Sequence, residues 1–91
     1  MLKLYQKKSF KQSLKKYKHK DDILEILDCV IDLLVKEQAI PDKYKDHELK
    51  GKFKGVRELH LKPDDLLLYI KVEQESITLV DIGSHSKILR I

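Results

Sequence analysis

Apolar residues recur along this chain with two different periods, and the change of period separates a helical part from a strand-rich part. Residues 2–6 alternate between apolar and polar side chains, which predicts a short strand. In residues 9–18 the side chains of Phe10, Leu14 and Tyr17 follow helical spacing. This spacing predicts a first helix with a narrow apolar stripe.

A second helix is predicted after a break at His19 and Lys20. Asp21 and Asp22 follow the break, and acidic side chains are favourable at the positive end of a helix. The apolar face of this helix holds Ile23, Leu24, Ile26, Leu27, Val30, Ile31, Leu33 and Leu34, and its polar face holds Glu25, Asp28 and Asp32. Such a wide apolar face predicts a helix that packs on the core.

Residues 39–54 follow neither period and carry Pro41 and Gly51, which predicts a long loop. Beyond the loop the chain is rich in Leu, Ile, Val and Tyr, which is typical of strands. The three predicted strands are residues 56–61, 66–72 and 77–82. Short polar turns join them, and Pro63 suits the second position of a type I turn.

This order of elements predicts an α+β fold, β-α-α-β-β-β, with two N-terminal helices packed on one face of a small, mainly antiparallel four-stranded sheet. With 91 residues, the chain is expected to form a single domain, residues 1–91. Alternation along the first strand after the loop places Leu59 and Leu61 on one side. If these leucines face the helices, Glu58 and His60 face the open side of the sheet.

The composition predicts a soluble protein of the cytoplasm. Cys29 is the only cysteine, which excludes an internal disulfide and a zinc-ribbon motif. Its neighbours Ile26, Val30 and Leu33 predict that it is a small buried side chain without chemistry. The N-terminal apolar residues are too scattered for a signal peptide, and the apolar run at residues 30–35 is too short to span a bilayer.

Positive charge is concentrated in two blocks, although the formal net charge is only +4. Residues 1–20 hold eight lysines and no acidic residue. The second block holds Lys43, Lys45, Lys50, Lys52, Lys54 and Arg57. A fold that joined the blocks would attract phosphate groups, but a solvated lysine face explains the charge equally well.

Four residues of the strand-rich part are candidates for chemistry: His47 in the basic loop, His60 on the open face, Asp64 in the hairpin turn and His85 after Gly83. A histidine taken alone is more often a surface or capping residue than a catalyst. Three histidines in one half of so short a chain favour a shared site, because imidazole exchanges protons near neutral pH.

Three runs of sequence contain these residues: DHELKG at 46–51, KGVRELHLKPD at 54–64 and GSHS at 83–86. A fourth run, LLY at 67–69, lies between the last two. In this order the four runs closely resemble the YafQ family of RelE-type bacterial toxins. The resemblance implies an mRNA interferase of a type II toxin–antitoxin pair that needs no cofactor, is inhibited by an antitoxin protein and, in relatives, acts on mRNA in the ribosome. By motif position, the family's catalytic residues fall on His47, His60, Asp64 and His85.

The chain departs from the family pattern at three positions. Asp81 stands where the family usually has an arginine, Leu89 where it has an aromatic residue, and Asp65 where it has a tryptophan. The loss of the arginine removes a positive charge and adds a negative one. We therefore expect the basic loop to supply the electrostatic stabilisation, or the enzyme to be slow.

Cleavage of RNA through its own 2′-hydroxyl requires a base, an acid and cationic support for the phosphate. Our hypothesis is that His60, oriented by Glu58 or Asp64, is the base and that His85 or His47 is the acid. The product would be a 2′,3′-cyclic phosphate. The cationic support is expected from Lys50, Lys52, Lys54 or Arg57, and Tyr44 is the tyrosine best placed to contact RNA. Tyr17 and Tyr69 are expected to pack on the core with their hydroxyls in water.

Two other functions compete with this hypothesis. One is a non-catalytic module that binds RNA or the ribosome, in which the lost arginine and aromatic residue have abolished cleavage. The other is a metal-dependent hydrolase with His47, His60 and Asp64 as ligands, although their spacing matches no zinc motif.

Overall fold

The computed structural model describes residues 1–88, apart from the side chain of Lys52. Its helices are α1 Lys8–Leu14, α2 Asp21–Val35 and α3 His85–Ile88. Its strands are β1 Lys3–Gln6, β2 His47–Glu48, β3 Arg57–Lys62, β4 Asp65–Val72 and β5 Ser76–Ser84. Short 3₁₀ turns lie at Lys15–Tyr17, Asp42–Tyr44 and Gly51–Phe53.

The strands form one five-stranded mixed sheet in the order β1-β5-β4-β3-β2. β1 runs parallel to β5, and the other neighbouring pairs are antiparallel. The α+β class is as predicted, but the prediction of four strands is wrong. The additional strand, β2, lies inside the segment predicted as a loop, because two residues are too few to show a period.

α1 and α2 lie close to their predicted positions, whereas α3 was not predicted from the sequence. α1 ends at Leu14, and a 3₁₀ turn continues the same apolar stripe to Tyr17. The prediction that Cys29 is buried is wrong, since this side chain is exposed. Cys29 follows Glu25 by four positions and precedes Asp32 by three, which places it on the polar face of α2. Among the described residues, no helix has the length and apolar character needed to cross a membrane.

The hydrophobic core lies between one face of the sheet and the layer formed by α1 and α2. Leu59 and Leu61 of β3 are buried there, as predicted. The other buried members of the core cluster are Leu2, Phe10, Tyr17, Ile23, Leu27, Val30, Leu34, Val35, Leu67, Tyr69, Ile77, Leu79 and Ile82. We call the opposite side of the sheet the second face.

The second face is only partly open, in contrast to the expectation from the sequence. Leu66 and Leu68 are buried although they lie outside the main core cluster. α3 packs on this side of β4 and β5. Gly83 permits the close approach, because a Cβ atom at this position would lie 3.0 Å from Cγ1 of Ile88.

An irregularity in β5 determines which residues reach the second face. Leu68 pairs with Asp81, whereas its neighbour Tyr69 pairs with Leu79, so Val80 is an extra residue in β5. An extra residue of this kind changes the alternation of the strand. As a result Asp81 faces the same side as Leu68.

Candidate active site

Glu58 is the buried centre of a cluster on the second face. It pairs with His47 of β2, and His60 follows two positions later on the same side of β3. Oε1 of Glu58 lies 2.9 Å from Nε2 of His60 and 3.5 Å from Nε2 of His47. The centroids of the two imidazole rings are 6.3 Å apart. Folding therefore brings His47, Glu58 and His60 into one cluster.

The hydrogen bonds of this cluster indicate which ring nitrogens carry protons. An ionised carboxylate only accepts, so His60 donates through its Nε2–H, and the neutral ring keeps a lone pair on Nδ1. His47 donates through Nδ1–H to the backbone carbonyl of Lys45 at 2.6 Å. Of the two imidazoles, only His60 makes a hydrogen bond of normal length with Glu58. Glu58 therefore orients His60 rather than His47.

The other carboxylate oxygen of Glu58, Oε2, is buried without a hydrogen-bond partner among residues 1–88. An unpaired buried acceptor costs about 1–3 kcal/mol of stability. Native proteins keep few such groups, and those that remain often belong to a functional site. The cost is consistent with a carboxylate whose role is to orient an imidazole.

Asp64 and His85 form a second pair at the same end of the sheet. Asp64 lies in the two-residue turn between β3 and β4, with Pro63 in the predicted second position. The backbone N–H of His85 donates to Oδ1 of Asp64 at 3.4 Å. The His85 side chain itself is exposed at the start of α3.

The register of the sheet gives the spacing between the cluster around Glu58 and the pair of Asp64 and His85. His60 pairs with Leu66, and Leu66 pairs with Gly83, so these residues form one row across β3, β4 and β5. Two strand spacings place Gly83 about 10 Å from His60. His85 follows Gly83 by two positions.

The proposed metal ligands His47, His60 and Asp64 are divided between the two groups. His47 and His60 share Glu58, whereas Asp64 is paired with His85. In the part of the chain that the structure describes, no three His, Cys, Asp or Glu side chains are arranged to hold a metal ion.

Arg57 occupies a different place from the one predicted. It follows the alternation of Leu59 and Leu61, and its Nε–H donates to Asp46 at 3.2 Å and to the hydroxyl oxygen of Tyr69 at 3.3 Å. Burial alone would lower the pKa of Arg57, but these hydrogen bonds outweigh it and the pKa is raised. The expectation that Arg57 supports the phosphate does not agree with this geometry, because its guanidinium lies on the helix side of β3.

Lys50 and Lys54 of the basic loop do not line the cavity beside His60. Lys50 and Lys54 are exposed on either side of the 3₁₀ turn Gly51–Phe53. The side chain of Lys52 lies outside the described part of the structure. Gly55 ends the loop with φ +93°, a conformation that favours glycine.

A cavity of about 360 Å³ beside His60 contains lysines that were not predicted as site residues. Lys43 and Lys45 line it together with Tyr44, His60 and Pro63. The ammonium group of Lys43 lies over the Tyr44 ring, 5.2 Å from the ring centroid, which is within the range of a cation–π interaction. The signal in the sequence is the pair of lysines that flank Tyr44, of which Lys45 lies two positions before His47.

The hydroxyl groups of Tyr17 and Tyr69 form hydrogen bonds with carboxylates. The prediction that these hydroxyl groups lie in water is therefore wrong. Both rings are buried in the core. The Tyr17 hydroxyl donates to Oδ1 of Asp65 at 2.9 Å, and the Tyr69 hydroxyl donates to Asp46. Burial and these hydrogen bonds raise the pKa of both tyrosines.

The three departures from the family pattern have different surroundings. Asp65 accepts the hydrogen bond from Tyr17 and so links the start of β4 to the 3₁₀ turn after α1. Asp81 accepts a hydrogen bond from the backbone N–H of Ile82 at 2.8 Å. Leu89 lies outside the described residues.

The fold agrees with comparisons to known proteins. A family model described as the bacterial toxin of a type II toxin–antitoxin system, YafQ, matches residues 2–90. The class of protein is therefore a toxin of a type II toxin–antitoxin system. The mRNA interferase toxin YafQ of Escherichia coli strain K12 is 34% identical over 70 residues, 76% of this chain and 73% of that protein. The chain belongs to the YafQ family, and the resemblance found in its sequence is confirmed.

Solved structures show the same architecture. The crystal structure of a metal-bound toxin from Helicobacter pylori has a TM-score of 0.87 and 44% identity, and the match covers 97% of this chain and 99% of that chain. The E. coli DinJ–YafQ toxin–antitoxin complex has a TM-score of 0.84 and 25% identity, with 97% of each chain covered.

Proposed function

We propose that this chain is a cytoplasmic endoribonuclease that cleaves mRNA through the 2′-hydroxyl, without a metal ion, and thereby inhibits translation. The observation that supports this most directly is the hydrogen bond between Glu58 and His60. It holds one imidazole in a fixed tautomer beside a basic cavity. The whole of residues 1–91 is proposed to act as one toxin domain.

His60 is the general base of the proposed reaction. With Nε2–H donated to Glu58, its free Nδ1 accepts the proton of the 2′-hydroxyl. The 2′-oxygen then forms a bond to phosphorus as the bond to the 5′-oxygen breaks. The product is a 2′,3′-cyclic phosphate.

His85 is the general acid that protonates the leaving 5′-oxygen. Its side chain is exposed, whereas both ring nitrogens of His47 face protein oxygens. Asp64 positions the start of α3 through the His85 backbone and is a positioning residue in this mechanism. His47 lies on the other side of Glu58, with its Nε2 3.5 Å from Oε1 of that carboxylate.

Metal independence is part of the proposal and needs a direct test, because the H. pylori relative was crystallised with a metal bound. The arrangement of the described His, Cys, Asp and Glu side chains does not favour a metal ligand set in this chain. Each step above uses protein groups alone.

The test is cleavage of a defined single-stranded RNA by purified protein, in EDTA and with added divalent metal. We expect cyclic-phosphate products in EDTA and about a 10²–10⁴-fold lower rate after His60→Ala or His85→Ala. His19→Ala is the matched control, since His19 is exposed and lies between α1 and α2. Cleavage that required metal would overturn the proposed chemistry.

Binding of RNA without fragments would instead support the non-catalytic module. A parallel assay with ribosomes separates two forms of the proposal: an enzyme that acts on free mRNA, and one that acts on mRNA at the ribosome. If the enzyme acts at the ribosome, cleavage of ribosome-bound mRNA is measured in EDTA and with the same alanine variants.

The proposed partner is a cognate antitoxin, as in the complex of E. coli YafQ with DinJ. The lysines around the His60 cavity favour an acidic segment of that partner, which would compete with RNA. We expect a co-expressed neighbouring-gene protein to bind the chain and stop cleavage. A neighbour that bound without any effect on cleavage would contradict this competition.

A further inference from the structure

Two lysine side chains from opposite parts of the sequence lie together near His85. Lys16 belongs to the 3₁₀ turn after α1, and Lys87 belongs to α3. Lys16 lies so close to Lys87 that it lowers the pKa of the Lys87 amine, and desolvation lowers that pKa further. The shift remains downward although Asp81 is near enough to oppose it.

Lys16 and Lys87 both line a cavity of about 370 Å³ at the end of the sheet. Lys20 contributes a third ammonium group there, while Asp64 and Asp65 contribute carboxylates. Both carboxylates already accept hydrogen bonds, Asp65 from Tyr17 and Asp64 from the His85 backbone. Neither Lys16 nor Lys87 forms an ion pair with any residue of the described 1–88.

This cavity lies at the Gly83 end of the row of the sheet that contains His60, next to the residue that precedes His85. Its wall includes Gly83, which shares a row of the sheet with His60, and Ser84, which immediately precedes His85. The Ser84 hydroxyl accepts a hydrogen bond from the backbone N–H of Lys87 at 3.3 Å, which holds the first turn of α3. An RNA phosphate placed between His60 and His85 therefore approaches Lys87.

We propose that Lys16 and Lys87 together bind the non-bridging oxygens of the scissile phosphate. This assignment rests on the proposed ribonuclease function and replaces the basic loop as the source of charge stabilisation. As the 2′-oxygen bonds to phosphorus, negative charge grows on these oxygens, and two ammonium groups that repel each other gain a shared counterion. The lysines exchange no proton: the 2′-proton passes to His60, and the 5′-oxygen receives its proton from His85.

The test compares four proteins at saturating RNA in single-turnover cleavage: wild type, K16Q/K87Q, K16R/K87R and K18Q. K18Q is the matched control, because Lys18 is exposed in the same region but lines a different cavity with Lys11 and Leu24. We expect K16Q/K87Q to lose about 10²-fold in rate, as for removal of a well-aimed charge donor. We expect K16R/K87R to recover most of that loss, and K18Q to cleave as wild type.

Binding to a 2′-deoxy analogue that cannot be cleaved gives a second measurement. One neutral methylphosphonate is placed at each linkage in turn, and K16Q/K87Q is compared with wild type in a double-mutant cycle. The two changes should be non-additive at the scissile linkage alone. Unchanged cleavage by K16Q/K87Q, or non-additivity only at another linkage, would overturn the assignment.

The outcome for wild type separates this assignment from the proposed function. Wild-type protein that leaves RNA intact contradicts the ribonuclease itself. Wild-type cleavage together with full activity of K16Q/K87Q contradicts only the role of the lysine pair.

Discussion

Glu58 and His60 lie two positions apart in β3, and Oε1 of Glu58 accepts a hydrogen bond from Nε2 of His60 at 2.9 Å. Glu58 is only 3% exposed, so water has little access to the carboxylate. The direction of this hydrogen bond fixes the tautomer of His60. A substitution at Glu58 that turns the acceptor of this hydrogen bond into a donor would therefore test how the base is oriented while the imidazole of His60 is kept.

Glu58→Gln is expected to lower the cleavage rate by about 10²–10⁴-fold while the fold is retained. The new amide group can donate to Nε2 of His60, which moves the ring proton to Nδ1 and removes the lone pair of the base. Single-turnover cleavage and circular dichroism measure the two effects. Glu25→Gln, at an exposed position of α2, is the control. Wild-type activity in Glu58→Gln would show that Glu58 does not orient the base.

Arg57→Gln is expected to destabilise the protein rather than to slow the chemistry. The substitution leaves the carboxylate of Asp46, which is 19% exposed, without its cationic partner. We expect the free energy of unfolding to fall by about 1–3 kcal/mol. Urea denaturation measures the stability, and cleavage by the folded protein measures the activity. A large loss of rate with unchanged stability would instead restore Arg57 to the phosphate site.

The lysines beside His60 should bind RNA more strongly than those of the loop tip. Lys43→Gln/Lys45→Gln is expected to reduce the slope of log K against log salt by about 0.7 for each RNA phosphate that the variant no longer neutralises. Lys50→Gln/Lys54→Gln removes the same charge from positions outside the His60 cavity and serves as the control. Fluorescence anisotropy with a non-cleavable oligonucleotide provides the measurement. Equal effects of the two double variants would mean that only net charge matters.

Tyr69 should make stability fall at alkaline pH. Burial and the hydrogen bond to Asp46 raise its pKa in the folded protein above the usual 10.0. Its stabilising contribution is therefore complete below that pH, and it is lost as the pH rises towards the folded-state pKa. We expect the stability gap between wild type and Tyr69→Phe, from urea denaturation, to shrink between about pH 9 and about pH 11.

Tyr5→Phe is the control for this pH series, since Tyr5 is 51% exposed on β1. The two variants share all other titratable groups, so titration of the lysines does not affect the comparison. A gap between wild type and Tyr69→Phe that stayed constant over the series would contradict the prediction.

Local sequence predicted the elements of the fold better than their pairing. The apolar face of α2 and the three long strands follow directly from their periods. The parallel contact of β1 with β5 depends on the path of the whole chain and has no local signal. The prediction for Cys29 is wrong because its sequence neighbours Ile26, Val30 and Leu33 are apolar, whereas on the helix Cys29 lies between Glu25 and Asp32.

The sequence proposes the residues of the candidate site, but it does not predict how they are arranged. Alternation correctly separated Glu58 and His60 from the leucines of β3. The same alternation places Arg57 with those leucines, although composition alone had grouped it with the loop lysines. The extra residue in β5 also changes which side chains face the site, and pattern reasoning cannot locate such an irregularity.

The parallel pairing of β1 with β5 has a consequence for synthesis of the protein. Lys3 pairs with Ser76. β1 is therefore synthesised well before β5, its hydrogen-bonding neighbour, and such long-range pairing is slow to form. A nascent chain that stalls before β5 lacks both this edge of the sheet and His85, so a toxin of this design has its proposed acid only after β5 and α3 have been synthesised.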